Sequence, residues 1–159
     1  MILTKVHLQN LKVADAMAHN IVTVTANSTM TEAADILCMH KITGAPVIDE
    51  RGKYVGVLSG TDFIHSTAEG ACGSQSSHAL VRKSSQEPYS IEEVGLDLVR
   101  KHMNPTVKTI GVEVPLLQAA RSMCKEHVHR LIVVDDQTKP IGILTSLDLV
   151  ATLIGAMDE

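Results

Sequence analysis

Between residues 21 and 66 the spacing of apolar positions changes several times, and each change marks a different element. The run "IVTV" reads as a brief strand, after a short helical start at Val13–Met17. Ala33, Ile36, Leu37 and then Met39 or His40 recur at helical spacing, so a helix follows. Its start is marked by Ser28 or Thr29 with Glu32 just beyond, the pattern of a capping box. Two continuous apolar runs, "APVID" and "VGVLS", then read as buried strands on either side of the polar turn "DERGKY". A last helix opens at "GTDFIHS".

The same succession returns 86 residues later without a gap: 13–66 lies on 99–152 with 12 identities in 54 pairs. Val99–Met103 is the second helical start and "VKTI" the second brief strand. Leu116, Ala119, Ala120, Met123 and Cys124 mark a helix with Pro115 in its first turn. "LIVVD", "DDQTKP" and "IGILT" repeat the strand–turn–strand, and "SLDLVATL" the last helix. The fold class is therefore α/β (α+β), two β-α-β-β-α repeats. One copy of 54 residues is marginal alone, so the two are expected to pack sheet to sheet and share a core. The organisation read from the chain is 1–66 for the first repeat with its N-terminal helix, 67–98 for a loop and linker helix, and 99–159 for the second repeat. Small polar residues from 67 predict a mobile loop. Ser90 and Glu93 then cap a helix expected over about 91–103, with Val94, Leu98 and Val99 on one face.

Composition narrows this further. With no Trp, one Phe and two Tyr, the core must be aliphatic. Met17, Met39, Met103 and Met123 are expected to serve as its filler, and Cys38 and Cys124, at matched helix positions, as small core residues. A net charge of −4 argues against nucleic-acid binding but leaves room for one local basic pocket. No run approaches the roughly 18 apolar residues of a membrane span or resembles a signal peptide. Three cysteines without metal-type spacing fit a cytoplasmic protein. His127 and His129 share a strand face, but nothing completes a metal site. Cys72 has no partnering base, Glu92 and Glu93 read as a solvated face, and no nucleophile–base pair or P-loop appears, so the expectation is not an enzyme and no catalytic cofactor.

Chemistry concentrates at two strand-to-helix junctions, "GVLSGTD" (56–62) and "GILTSLD" (142–148). Each offers a glycine for close backbone approach, a hydroxyl at a helix start and an Asp in the first turn. That Asp can accept two hydrogen bonds from a ribose diol, or it can simply favour the helix dipole.

The duplicated unit resembles the cystathionine-β-synthase (CBS) domain, and the pair resembles a Bateman module. The likeness rests on "DAM…IVTV", the helix, "GAPVID…GVLSGTD" and their second-copy partners, about 120 of 159 residues. It implies repeats packed through their sheets about a pseudo-two-fold axis, with two clefts that hold AMP, ADP, ATP or S-adenosyl compounds. It further implies Asp62 and Asp148 on ribose, and Ser59 and Thr145 near phosphate. Thr23, Val24 and Thr25, and Thr109, Ile110 and Gly111, would line the adenine pockets, although sequence does not settle which segment serves which Asp.

The stretch "HVHRLIVVD" (127–135) is similar to the second-strand entry of CBS repeats in the AMP-activated protein kinase γ subunit, where a His-Arg pair touches phosphate. Carried over, His129 and Arg130 would face a phosphate near Thr145 and Asp148. An Arg fork and a His donor suit that task, although both could equally be solvated turn residues. The first copy has Thr43 and Gly44 there, so its cleft would take adenosine without the phosphate clamp. The expectation is a cytoplasmic, homodimeric regulatory module sensing adenine nucleotides and acting on a separate effector protein, with no membrane or nucleic-acid partner. The alternative is a ligand-independent dimerisation or docking scaffold.

Overall fold

A computed structural model of the chain describes residues 10–68, 95–106 and 108–158. In chain order the elements are α1 (Val13–Ala16), β1 (Val24–Thr25), α2 (Met30–Met39), β2 (Gly44–Ile48), β3 (Tyr54–Ser59), α3 (Gly60–Ala68), α4 (Val99–His102), β4 (Thr109–Gly111), α5 (Leu116–Glu126), β5 (Arg130–Val134), β6 (Pro140–Thr145) and α6 (Ser146–Asp158). The expected strand, helix, strand, strand, helix order appears in both halves. The brief strands begin later than "IVTV" and "VKTI" suggest. The capping box of α2 forms at Thr29: its Oγ1 accepts from Glu32 N at 3.2 Å, and the Glu32 carboxylate accepts from Thr29 N at 2.8 Å.

Each half carries a three-stranded sheet, β1-β2-β3 or β4-β5-β6, with the first pair parallel and the second antiparallel. The register irregularity at Val47/Ile48 recurs at Val133/Val134, so the duplication extends to backbone detail.

The halves are joined by exchange. Val13 is fully buried in a cluster with Leu116, Ala119, Met123, Leu131, Val133, Leu144 and Leu149, all from the second repeat. Val99 is fully buried in the corresponding cluster of the first repeat, with Val24, Met30, Ala33, Leu37, Ala45, Val47 and Leu58. The N-terminal helix is thus continuous with the first repeat in sequence and packs in the core of the second. Backbone hydrogen bonds seat both helices alike. Val13 N donates to Val114 O (2.9 Å) and Ala14 N to Val112 O (3.0 Å); Val99 N donates to Ser28 O (2.9 Å) and Arg100 N to Ala26 O (3.1 Å). Beyond the helices, Ala18 pairs with Ile143 of β6, and Asn104 with Val57 of β3.

Three expectations are corrected. The helix predicted over 91–103 is interrupted: among the described residues Gly95 and Leu96 are helical and Val99–His102 form a separate helix, because between them Leu98 is extended (φ −81°, ψ 140°) and bridges Thr29, while the Asp97 carbonyl accepts from Met30 N at 2.8 Å. Tertiary partners there replace helical ones. The Asp97 carboxylate holds the helix from below: Lys101 and His102 hydrogen-bond it and keep its pKa below the ordinary 3.8. The proposed cap at Ser90 and Glu93, the 67–90 loop beyond residue 68, and Cys72 lie outside the described residues. Cys38 and Cys124 are exposed rather than core. So is Met39, at 76%. The buried stripes are Met30, Ala33 and Leu37, and Leu116, Ala119 and Met123, and each cysteine follows the last member by one residue, about 100° round the helix.

The turns before β3 and β6 meet each other, with Tyr54 N donating to Thr138 O at 2.9 Å. The reciprocal bond cannot form, since Pro140 stands where Tyr54 does in the first repeat and has no N–H. Burial pushes the Tyr54 phenol up to about 12. Gly52 has φ +76° in the first turn, and Thr138 is forced to φ +65° at the matched position of the second. A left-handed conformation costs a non-glycine residue about 1–2 kcal/mol, more awkwardly so when β-branched. Thr138→Gly is therefore expected to raise stability by about 1 kcal/mol, partly offset by glycine's freedom in the unfolded chain. A urea midpoint that stays put or falls would show the strain to be absent.

Candidate functional site

Both junctions form the same small structure. Asp148 Oδ2 accepts from Thr145 N and Thr145 Oγ1, each at 2.7 Å, while Asp148 N donates back to Thr145 Oγ1 at 3.2 Å. Asp62 Oδ2 accepts from Ser59 N at 2.6 Å and Ser59 Oγ at 2.8 Å. The hydroxyl hydrogen is thus committed to the carboxylate, and one carboxylate oxygen is fixed. The other oxygen, Oδ1, has no partner among the described residues on either Asp. What the arrangement offers chemically is an oriented, half-buried acceptor at a helix start.

The second-strand entry comes to the same place. Arg130 lies opposite Thr145 in the β5–β6 register, and the His129 carbonyl accepts from Ser146 N at 3.0 Å. His129 and Arg130 are exposed, and their side chains make no hydrogen bond or ion pair among the described residues. In the first repeat Gly44 lies opposite Ser59, and the Thr43 carbonyl accepts from Gly60 N at 2.9 Å. There a side chain at Gly44 would come within 2.9 Å of Leu58 O, so this entry is closed to any larger residue as it stands.

The first-strand residues do not all join these groups. Thr25 lies opposite Ile48, four residues along β2 from Gly44, which is about 13 Å at strand rise. Gly111 stands in the same relation to Arg130, opposite Val134. The Val24 side chain is fully buried in the core, and Ile110 packs against the other one. Thr23, just before β1, and the exposed Thr109, opposite Ile132, lie nearer the junction end.

The backbone that does border each junction comes from the other repeat. Ala18 and Ile143 exchange hydrogen bonds of 2.8 and 3.0 Å, two residues from Thr145. Asn104 and Val57 exchange bonds of 2.8 and 2.9 Å, two residues from Ser59. Sequence reasoning passed over these crossing segments. The available signal was glycine at positions 56 and 142: a Cβ on Gly142 would lie 2.8 Å from Ala18 O, and one on Gly56 2.7 Å from Asn104 O.

Among the described residues no helix is long and apolar enough to cross a membrane, and no group of three or more His, Cys, Asp or Glu could hold a metal ion. One cleft, of about 280 Å³, opens at the far end of the first sheet beside Thr25, Asp49 and Arg100, away from both junctions.

Comparison with known proteins places these features. The profile of the CBS domain matches residues 13–69 and 94–155. Protein MJ1232 of Methanocaldococcus jannaschii, uncharacterised, is 30% identical over 152 residues, which is 96% of this chain and 43% of that protein. The L-aspartate semialdehyde sulfurtransferase of the same organism is 29% identical over 86% of this chain and 22% of its own length. The chain therefore spans less than half of the first relative and under a quarter of the second. Among solved structures, the CBS domain pair of protein MJ0100 in complex with 5′-methylthioadenosine and S-adenosyl-L-methionine has a TM-score of 0.66 at 26% identity, covering 92% of this chain and 98% of that one. CBSX2 in complex with AMP has a TM-score of 0.69 at 27% identity with the same coverages.

Proposed function

Because the chain belongs to the CBS domain family, as a tandem pair of repeats, we propose that it is a non-enzymatic regulatory module whose ligand is an adenine nucleotide, AMP, ADP or ATP. One observation carries the reading. Asp148 presents a fixed carboxylate with Oδ1 unengaged, beside two cationic or potentially cationic side chains, His129 and Arg130, that have no partner among the described residues. A ribose diol on Asp148 would leave the 5′-phosphate to the Arg130 fork and the His129 donor. The crossing segment at Met17–Ala18 would supply the other wall, so ligand would touch both repeats. At the Asp62 junction Thr43 and Gly44 bring no cation, and this site takes adenosine with a weaker hold on phosphate.

The solved relatives bound to AMP, and to 5′-methylthioadenosine with S-adenosyl-L-methionine, support an adenosine-containing ligand. The choice among these is tested by a thermal-shift panel with AMP, ADP, ATP and S-adenosylmethionine. A ligand at about 100 times its Kd adds roughly 2.7 kcal/mol, a rise in Tm of several degrees for a domain of this size. A panel without any rise at millimolar ligand would reject the sensor reading in favour of a ligand-independent scaffold.

The module is further proposed to work as a cytoplasmic homodimer that acts on a separate effector. The supporting feature is an apolar stripe on α6: Leu147, Val150 and Ile154 are 77%, 50% and 56% exposed and fall on one helix face. Ile64 holds the place of Val150 in the first repeat and is 65% exposed. Val150→Asp is expected to convert a dimer to a monomer in sedimentation equilibrium. A wild-type monomer at all concentrations would remove this part of the reading.

A further inference from the structure

The cleft at the far end of the first sheet can be judged against the second repeat, which has the same backbone and different side chains. It is lined by Thr25, Asn27, Asp49, Glu50, Arg51 and Arg100, and its volume of about 280 Å³ falls just below the range of about 300–1,000 Å³ usual for drug-sized ligands, which suits a smaller molecule. Arg100 arrives on the crossing helix α4. Its N–H donates to Ala26 O at 3.1 Å, and its Nη1 donates to Asn27 Oδ1 at 3.2 Å. Asn27 Nδ2 in turn donates to Glu50 Oε1 at 2.7 Å. Asp49 Oδ1 accepts from Arg51 N and Lys53 N, each at 2.8 Å, and so closes the turn. Both acids are thus partly engaged in holding the wall. The Arg51 guanidinium and the Thr25 hydroxyl have no partner among the described residues.

The fold does not require either arginine. In the second repeat Asp135 Oδ1 accepts from Gln137 N at 2.9 Å and Lys139 N at 2.8 Å, so the same turn closes with Gln137 in the place of Arg51. Ala14 N donates to Val112 O at 3.0 Å, so the same crossing helix seats with Ala14 in the place of Arg100. The matched positions there, Glu113, Asp135 and Asp136 among them, bring negative charge without an arginine. What distinguishes the first repeat is therefore a pair of guanidiniums around one small cleft, beside carboxylates that each keep an oxygen to spare.

We propose that this cleft is a second ligand site, separate from the junction at Asp148, which takes a small phosphomonoester of a polyhydroxy compound. The phosphate lies between Arg51 and Arg100, where a planar fork can donate two parallel hydrogen bonds to its oxygens. The remaining oxygens of Glu50 and Asp49 accept from the ligand's hydroxyls, and Thr25 completes the wall. These same carboxylates disfavour a long polyanion, and the volume excludes a dinucleotide. Because Arg100 belongs to the segment that crosses between repeats, occupancy reports directly on the exchanged helix.

The test uses the full chain with ribose 5-phosphate and inorganic phosphate as probes, followed by calorimetry and by ¹H–¹⁵N NMR. Ribose 5-phosphate is expected to bind and to shift the amides of Thr25, Asn27 and Gly52. The Arg51→Gln/Arg100→Gln variant is expected to bind about tenfold or more weakly, with only a small fall in Tm, because both side chains are exposed and the one bond lost, from Arg100 to Asn27, is a surface bond. Asp148→Ala should leave this binding as it is, which separates the site from the nucleotide site. No shifts at millimolar ribose 5-phosphate, shifts confined to the Asp148 junction, or full binding by the double variant would each overturn the proposal. Equal affinity for inorganic phosphate would overturn the roles given to Asp49 and Glu50.

Discussion

Asp148→Ala is expected to weaken adenine-nucleotide binding by about 10- to 100-fold, since hydrogen bonds to a charged group contribute about 1.5–3 kcal/mol. The residue has two jobs, and the variant removes both. It would accept the ribose hydroxyls through Oδ1, and through Oδ2 it holds Thr145 N and Oγ1 at 2.7 Å each. Loss of the second job alone costs stability, about 1 kcal/mol as for other helix-start caps. Asp148→Asn separates them: a neutral amide retains an acceptor for Thr145 but offers a donor where the ribose needs an acceptor. Weak nucleotide binding by both variants, with near-normal urea stability of the Asn form, would identify Asp148 as a ligand residue. Nucleotide affinity untouched by Asp148→Asn would mean that the carboxylate serves only the helix start. Asp62→Asn is the internal control, with a smaller loss expected because Thr43 and Gly44 stand where the second repeat has His129 and Arg130.

The largest effect on folding is expected at Gly142. A Cβ there would sit 2.8 Å from Ala18 O and 2.9 Å from Met17 Sδ, closer than real side chains approach. Gly142→Val presses two further methyl groups into the Ala18–Ile143 pairing and should cost about 3 kcal/mol or more. Gly155 in α6 has nothing within 4 Å of its Cβ position, so Gly155→Ala is the matched control, with a gain of up to about 1 kcal/mol from helix propensity. Equal urea midpoints for Gly142→Val and the wild type would refute the close approach between the crossing segment and β6. The same variant bears on function, since that segment borders Thr145 and Asp148.

The repeat, the element order and the junction residues could be read from the chain because each is written in local spacing. Apolar period, a capping pair at Thr29 and Glu32, and a hydroxyl three residues before an Asp all act within a few residues of one another. What escaped depends on distant partners. Nothing local around Leu98 says that it will extend to meet Thr29 rather than continue a helix, because the competing hydrogen bonds come from a segment about 70 residues away. Cys38 and Cys124 were misplaced for a simpler reason. They adjoin the buried stripe by one residue, and a three-residue stripe is too narrow to admit them. The cleft holding Arg51 and Arg100 combines residues 49 positions apart on a turn and a crossing helix, so spacing carries no trace of it.

The exchange of α1 and α4 also sets an order in time. A ribosome releases the chain from its N-terminal end, so the cluster around Val24, Met30 and Leu58 stays open until Val99 and Met103 have been made. Val13, among the earliest core residues to emerge, waits for partners as late as Leu149. Each repeat's core is completed by residues of the other, and contacts of such long separation form slowly. The nascent first repeat thus spends much of its synthesis with an unfilled apolar groove, the stretch in which a growing chain is most in need of a chaperone.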